Sequence, residues 1–169
     1  MTARVRPPVD LRFRRPSDDD HRRLVDLVDD WFGGRRVRDQ FGRFWFRHFS
    51  RTSWLAETAD GEVAGVLIGF LAPDDPRTAV IQWLAVNPNL RRRGVGRELV
   101  ERFAAEARSA GADELVIVVR PDEPIAVRFL RALGFEPDAG PGTQPLYGVP
   151  AYPDYEHEGE DRAIFRRRP

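Results

Sequence analysis

Residues 81–103 read IQWLAVNPNLRRRGVGRELVERF and combine an apolar strand, a turn and the start of a helix. An Asn-Pro pair at 87–88 ends the strand, and Gly94 and Gly96 flank the start of the helix. The first turn of a helix leaves backbone N–H groups unpaired and carries about half a positive charge. Glycine lacks a Cβ, so a ligand can approach this backbone closely. The stretch therefore predicts a cradle for a phosphate or pyrophosphate.

Two other phosphate-binding motifs do not fit this segment. A Rossmann turn has glycine or alanine where this chain has Leu99, and it follows the first strand of its domain. A P-loop requires a Gly-Lys-Ser/Thr sequence, and this chain contains no lysine. From the residues alone, the remaining alternative is an ordinary strand–helix turn, with glycines for the bend and arginines for solubility.

Hydrophobic periodicity on both sides of the cradle predicts one α/β domain over residues 1–169. The predicted strands are 9–16, two within 53–72 that meet at Asp60-Gly61, 78–86, 114–120 and 161–168. The predicted helices are 18–32, 37–50, 94–111 and one beginning at Pro124, with loops expected at 72–77 and 137–159. One helical stripe, expected to face the core, consists of Phe41, Phe44, Trp45, His48 and Phe49.

The composition argues against several classes of function. The 169 residues are 41% hydrophobic and 32% charged, as expected for a globular protein. Cysteine is absent and there are only three histidines, so we expect no disulfide scaffold, no cysteine nucleophile and no metal site. The 27 basic residues, all arginine, balance 27 acidic ones, which disfavours nucleic acid and membrane surfaces as partners. With no apolar run of membrane-spanning length and no visible secretory signal, the sequence predicts a cytoplasmic protein.

Two segments resemble the GNAT N-acetyltransferase superfamily. Residues 84–96, LAVNPNLRRRGVG, resemble its acetyl-CoA signature, a strand followed by Gln/Arg-x-x-Gly-x-Gly/Ala. Residues 126–137, AVRFLRALGFEP, resemble its second motif, and WFGGRRV at 31–37 resembles a bacterial subgroup with a GGR element. The resemblance implies a single GNAT-like α/β domain. Its mixed central sheet would have about six to seven strands, with a splayed parallel pair of fourth and fifth strands, and about four helices.

The resemblance also implies a reaction and the residues that serve it. An amine would attack the thioester carbonyl of acetyl-CoA in a ternary complex, without a metal, and the CoA thiolate would leave. The strand backbone at Leu84, Ala85 and Val86 would contact pantetheine and steady the oxyanion. Glu123 stands in place of the second-motif Asn that often touches the CoA arm, which is a departure from the family pattern. The CoA phosphates would be held by backbone amides and side chains of Arg91, Arg92, Arg93, Gly94, Val95, Gly96 and Arg97.

The family's usual proton-transfer positions carry residues that do not ionise near neutral pH. Val80 and Gln82 stand where many relatives place a base, and Leu130 replaces the tyrosine that acts as general acid. We expect Leu130 to pack in the core and Gln82 to hold a water chain. Tyr147 is the candidate replacement acid. Further candidates, each weighed against a packing role, are Tyr152, Tyr155, Glu57 and His48, with His48 expected to be buried.

The acceptor is expected to be an amine, either a small molecule or a peptide, bound by a monomer or a homodimer. The acidic run at 154–161 would favour a cationic amine if it rims the acceptor cleft. Because the usual acid and base are missing, a non-catalytic acyl-CoA-binding sensor or partner-binding module is the alternative function. A nucleic-acid role for Arg91–Arg93 and Arg166–Arg168 is disfavoured by the zero net charge and by the lack of interleaved aromatic residues.

Overall fold

The computed structural model describes residues 10–169, and Val9 of the first predicted strand lies outside them. The strands are β1 Leu11–Arg14, β2 Trp54–Thr58, β3 Val63–Ala72, β4 Asp75–Val86, β5 Glu114–Val119, β6 Glu136–Pro137, β7 Gln144–Leu146, β8 Val149–Ala151 and β9 Ala163–Arg167. The α-helices are α1 Asp18–Leu24, α2 Val28–Trp31, α3 Arg43–His48, α4 Val95–Ser109 and α5 Pro124–Ala132. Within residues 10–169, one sheet has seven strands in the order β1-β2-β3-β4-β5-β9-β6, and β7 pairs with β8 in a second sheet.

The chain divides into two compact units. Among the described residues, the N-terminal unit contains 10–70 together with Gln82–Glu106, and the C-terminal unit contains Leu71–Ile81 and Ala107–Pro169. Strand β4 is therefore divided: residues 75–81 belong to the C-terminal unit and residues 82–86 to the N-terminal unit. The expected α/β class and mixed sheet are confirmed, because β4 and β5 run parallel while β1–β2, β2–β3 and β5–β9 are antiparallel.

The core of the N-terminal unit is formed by apolar side chains from α1 to α3 and from strands β2 to β4. Strand β3 reads VAGVLIGFLA, and its first seven residues are buried. A continuous apolar run of this kind is typical of a strand that is covered on both faces. The core cluster consists of Leu24, Val28, Trp31, Val37, Phe41, Phe46, Leu55, Val63, Val66, Ile68 and Ala85.

The predicted helix 18–32 is divided in two by a turn at residues 25–27. Its start is as expected, because Ser17 precedes α1 and contacts the first turn through Asp20. The Ser17 backbone N–H and hydroxyl both donate to the Asp20 carboxylate, at 2.7 and 3.0 Å. Such local bonds fix the point at which the chain enters the helix.

The prediction of a helix over 37–50 is wrong in its first half, and the predicted stripe is only partly right: Phe41 is buried and Trp45 and Phe49 pack against the core, but Phe44 and His48 do not. Helix α3 begins only at Arg43, because Gly42 has an extended backbone with φ −71° and ψ 149°. Phe41 belongs to the turn before it, so the helical phase cannot be counted from Phe41. As a result Phe46 is buried, Phe44 is 58% exposed, and His48 is exposed rather than buried.

The C-terminal unit is built around β5. The parallel register between β4 and β5 runs from Thr78–Glu114 to Ile81–Ile117, and the splay expected beyond it stays a prediction. The loop predicted over 72–77 is only a turn at residues 73–74, because β4 already begins at Asp75. The region predicted as irregular, 137–159, contains the hairpin of β7 and β8.

Candidate functional site

The turn that follows β4 is fixed by Asn87, whose side chain is buried. Its amide nitrogen donates to Glu62 Oε1 at 2.8 Å and to the Val63 carbonyl at 3.4 Å, and its backbone N–H donates to the Ala64 carbonyl at 2.9 Å. Its side-chain oxygen accepts the Asn89 N–H at 3.0 Å. The end of β4 is thus tied to the start of β3, and the following loop begins from a fixed point.

The loop between β4 and α4 has the backbone expected of an anion cradle. Arg92 has φ +62° and Gly94 has φ +84°, both in the left-handed region. Alternation between left- and right-handed backbone turns successive N–H groups toward one side, where they can bind an anion. A Cβ added at Gly94 would meet no atom within 4 Å, so the space beside the backbone is open. The backbone beside Gly94 is therefore accessible to an anion, as the sequence predicts.

Gly65 in β3 sets how closely α4 packs on the sheet. A Cβ at this position would lie 3.0 Å from the Ala85 carbonyl oxygen, 3.0 Å from Val95 Cγ1 and 3.1 Å from Leu99 Cδ1. Because the Ala85 carbonyl oxygen is a backbone atom, it cannot move aside at low energetic cost. The sequence interpretation missed this residue, although a glycine inside a buried strand often marks a close approach of another backbone.

The arginines of the loop differ in their surroundings. Arg91 turns back onto the protein: its guanidinium donates to the Val86 carbonyl, at 3.4 Å, and to the Trp31 carbonyl. Arg92 is exposed, whereas the Nε of Arg93 is buried and has no hydrogen-bond partner. A depression of about 350 Å³ lies beside this part of the loop, and its lining consists of Leu11, Phe13, Arg93, Gly94, Arg97 and Glu98. Arg93 is therefore the loop arginine best placed to gain from an anionic partner.

The residues predicted for proton transfer lie in both units. Gln82 is exposed at the point where β4 enters the N-terminal unit. Leu130 is 1% exposed and packs in the core, as expected. Tyr147 is 73% exposed in the β7–β8 turn, where it and Gly148 both have positive φ, as tight hairpin turns require. Glu123, which is predicted to touch the CoA arm and not to transfer a proton, is the residue immediately before α5 in the C-terminal unit.

The alternative base, Glu57, is unsuited to accept a proton. Its carboxylate accepts hydrogen bonds from Arg14 at 2.7 and 3.1 Å and from Arg23 at 2.7 Å. These bonds, Arg14 first, hold the pKa of Glu57 below its usual value despite its partial burial. A carboxylate that is stabilised as the anion is a weak base. The hypothesis that Glu57 is a remote base is therefore not supported.

The alternative acid, Tyr152, is bound to a carboxylate. Its hydroxyl donates to Asp138 at 2.8 Å, and this bond raises the pKa of Tyr152 above its usual value. Much of the acidic run is likewise engaged within the C-terminal unit. Glu160 pairs with Arg162 at 2.9 Å and with Arg120 at 3.3 Å. The acidic run at 154–161 therefore includes a carboxylate that is already paired with arginines.

Two negative findings apply to the described part of the chain. Among residues 10–169, no group of three or more histidine, cysteine, aspartate or glutamate side chains is placed to hold a metal ion. None of the helices in the same range has the length and apolar character needed to cross a membrane.

Known proteins of similar sequence and structure were found for this chain. L-2,4-diaminobutyric acid acetyltransferase of Nocardia farcinica is 33% identical over 125 residues, which are 74% of this chain and 63% of that relative. This chain thus spans less than two thirds of the length of that protein. Ard1 from Thermoplasma volcanium superposes with a TM-score of 0.75 at 22% identity, over 95% of this chain and 98% of its own.

A further solved structure shares the fold. It is diaminobutyrate acetyltransferase EctA from Paenibacillus lautus, in complex with its substrate L-2,4-diaminobutyric acid and coenzyme A. The TM-score is 0.67 at 21% identity, over 94% of each chain. The family model described as the acetyltransferase (GNAT) family matches residues 16–135, which include the β4–α4 loop and most of the N-terminal unit. The chain therefore belongs to the GNAT acetyltransferase family.

Proposed function

We propose that this protein is an N-acetyltransferase that transfers the acetyl group of acetyl-CoA to a primary amine. The observation that carries the proposal is the β4–α4 loop, in which Arg92 and Gly94 adopt left-handed backbone ahead of a 15-residue helix. Membership of the GNAT family supports the same reaction. Hydrogen bonds from backbone N–H groups to phosphate oxygens are charge-assisted and contribute about 1.5–3 kcal/mol each.

The reaction proposed is direct attack. The amine nitrogen bonds to the thioester carbonyl carbon, the carbonyl oxygen becomes an oxyanion, and the C–S bond then breaks to release CoA as its thiolate. Backbone N–H groups in the stretch Leu84–Val86 stabilise the oxyanion. The amine loses a proton to water, and Gln82, exposed on the same strand, orders that water.

For the acceptor we propose a small diamino acid. The support is the 33% identical relative that is named for L-2,4-diaminobutyric acid. Since this chain spans 63% of that relative, the acceptor has to be tested directly.

The test is a turnover assay with purified protein, acetyl-CoA and an amine panel of L-2,4-diaminobutyric acid, L-ornithine and a short peptide. Release of CoA thiol and formation of the acetylated amine, followed by mass spectrometry, should both require protein and amine. We expect L-2,4-diaminobutyric acid to give the highest kcat/KM of the panel. Calorimetric binding of acetyl-CoA without turnover of any amine would instead support the acyl-CoA sensor.

A further inference from the structure

Aromatic rings of α3 and β3 form an exposed cluster in the N-terminal unit. We call Phe44, Trp45, His48, Phe49 and Phe70 the aromatic patch. The Phe44 ring centroid lies 5.0 Å from that of His48 and 5.6 Å from those of Trp45 and Phe49, and Phe49 lies 5.2 Å from Phe70. Phe44 and His48 are exposed, and the other three residues are partly exposed. Contiguous apolar surface of this kind typically marks a site of association.

The segment that carries most of the aromatic patch is positively charged. Residues 40–53 contain three arginines and no acidic residue. Arg43 and Arg47 share one partner, the carboxylate of Asp18, at 2.8 and 2.6 Å. Arg51 is exposed and has no ion-pair partner among the described residues. Two such segments would therefore repel each other, and the partner of the patch has to combine negative charge with apolar surface.

The C-terminal unit contains a surface of that kind, the acidic loop 153–161. Its ends are held together by Tyr152 and Arg162, each of which donates its backbone N–H to the carbonyl of the other, at 2.8 and 3.0 Å. Within the loop, the Asp154 carboxylate accepts the Gly159 N–H at 2.6 Å. The loop thus has a fixed shape before it meets a partner, which lowers the entropic cost of binding.

The acidic loop carries charge that the chain itself does not neutralise. Glu158 is exposed and has no ion-pair partner among the described residues. Glu156 is 52% exposed and lies 3.9 Å from the Arg162 guanidinium, at the outer limit of an ion pair. Tyr155, the residue before Glu156, exposes 46% of its surface. The loop therefore offers carboxylates beside an aromatic ring, which is the complement of the aromatic patch.

We propose that this protein self-associates, with the aromatic patch of one copy receiving the acidic loop of a second copy. Arg51 of one copy then faces Glu158 of the other, so that two charges without a partner in the single chain neutralise each other. Phe44 and Tyr155 supply the apolar contact beside this pair. In a closed dimer with two-fold symmetry, the contact between patch and loop occurs twice, once in each direction.

Sedimentation velocity of the full chain, over a wide range of protein concentration, tests the contact by charge exchange. The unsubstituted protein should form a dimer that weakens as salt is added, because salt screens exposed charges. Arg51→Glu and Glu158→Arg should each lower the association constant by about tenfold, because like charges then meet. An equal mixture of these two variants should associate as tightly as the unsubstituted protein, since every contact between unlike copies joins opposite charges.

Two further variants complete the experiment. Phe44→Ser removes an exposed ring and should lower the association constant by about tenfold or more. Arg128→Glu is the matched control, because it reverses an exposed arginine on α5 that belongs to neither surface, and association should not change. A protein that stays monomeric up to its limit of solubility, or a dimer that both charge variants leave unchanged, would show that the proposal is wrong. If Phe44→Ser weakens the dimer but the mixture of charge variants does not restore it, the acidic loop is not the partner of the patch.

Discussion

Gly94 lies at the entrance to α4 with open space where a side chain would project. In Gly94→Asp, a carboxylate would occupy the anion path, and we expect the affinity for acetyl-CoA to fall by about a hundredfold or more, about 2.7 kcal/mol. Gly111→Asp is the matched control, because Gly111 also has positive φ and open surroundings, just beyond the other end of α4. Calorimetry should show nearly unchanged affinity for the control. Equal affinity in both variants would show that the loop at Gly94 does not bind acetyl-CoA.

Arg93 differs from its neighbours because its Nε is buried without a hydrogen-bond partner. If this side chain meets the 3′-phosphate, Arg93→Ala should weaken binding of CoA by about tenfold more than binding of dephospho-CoA, which lacks that phosphate. Arg92→Asn provides the comparison for an exposed charge in the same loop. Equal losses for both ligands would assign Arg93 to the pyrophosphate or to solubility.

The contact between α4 and β3 controls the position of the β4–α4 loop. Gly65→Ala would place a Cβ 3.0 Å from Val95 Cγ1 and 3.1 Å from Leu99 Cδ1, both on α4, so we expect α4 to shift outward by a few tenths of an ångström. We expect the free energy of unfolding to fall by about 1–3 kcal/mol, as for other overpacked cores. Acetyl-CoA affinity should fall as well, although residue 65 is not in the loop. A urea unfolding curve and a binding titration that both match the unsubstituted protein would contradict this explanation.

For the whole molecule, the ion-pair network of Arg14, Asp20, Arg23 and Glu57 predicts a loss of stability in acid. Burial alone would raise the pKa of Asp20, but hydrogen bonds from Arg14 and Ser17 lower it, and that of Glu57 is lowered too. Lowered folded-state values mean that the stabilisation is complete above the unfolded pKa values, about 4, and is lost as pH falls through the folded ones.

Urea unfolding between pH 7 and pH 3 tests this network. The decline in the free energy of unfolding should be smaller in Glu57→Gln, which removes one titrating group and is less stable at pH 7. Asp26→Asn, which alters a carboxylate whose side chain is 75% exposed, should follow the unsubstituted protein within about 0.5 kcal/mol. An identical pH dependence in Glu57→Gln would show that the network does not control acid stability.

The pH dependence of turnover follows from the residues at the proton-transfer positions. Gln82 and Leu130 do not ionise, and Glu57 is held as an anion, so the amine itself should limit the rate. We expect kcat/KM to rise with pH until the amine is deprotonated. We expect Gln82→Ala to lower kcat/KM by about tenfold or less. A bell-shaped profile that is lost in Tyr147→Phe would show instead that Tyr147 acts as the acid.

The sequence predicted the parts of the molecule that depend on local chemistry. Helix α4 and the strands β4 and β5 on either side of it each have a signal within a few residues, whereas the predicted anion cradle at Gly94 stays a prediction. The burial of Phe46 and the exposure of Phe44 could not be predicted from a stripe counted from Phe41, because extended backbone at Gly42 restarts the helical phase. The contacts of Arg91 with Trp31 and of Gly65 with Val95 join residues distant in sequence, so only the folded chain shows them.

The missing side chain at Gly65 has a consequence for anyone who exchanges cofactor loops between members of this family. The position of residues 87–97 on the sheet depends on the absence of a Cβ at Gly65, which precedes them by more than 20 residues. If this loop were grafted onto a scaffold with a larger residue at that place, its sequence would be unchanged but α4 and the loop would be displaced from their position on the sheet. The loop and strand β3 therefore have to be transferred together.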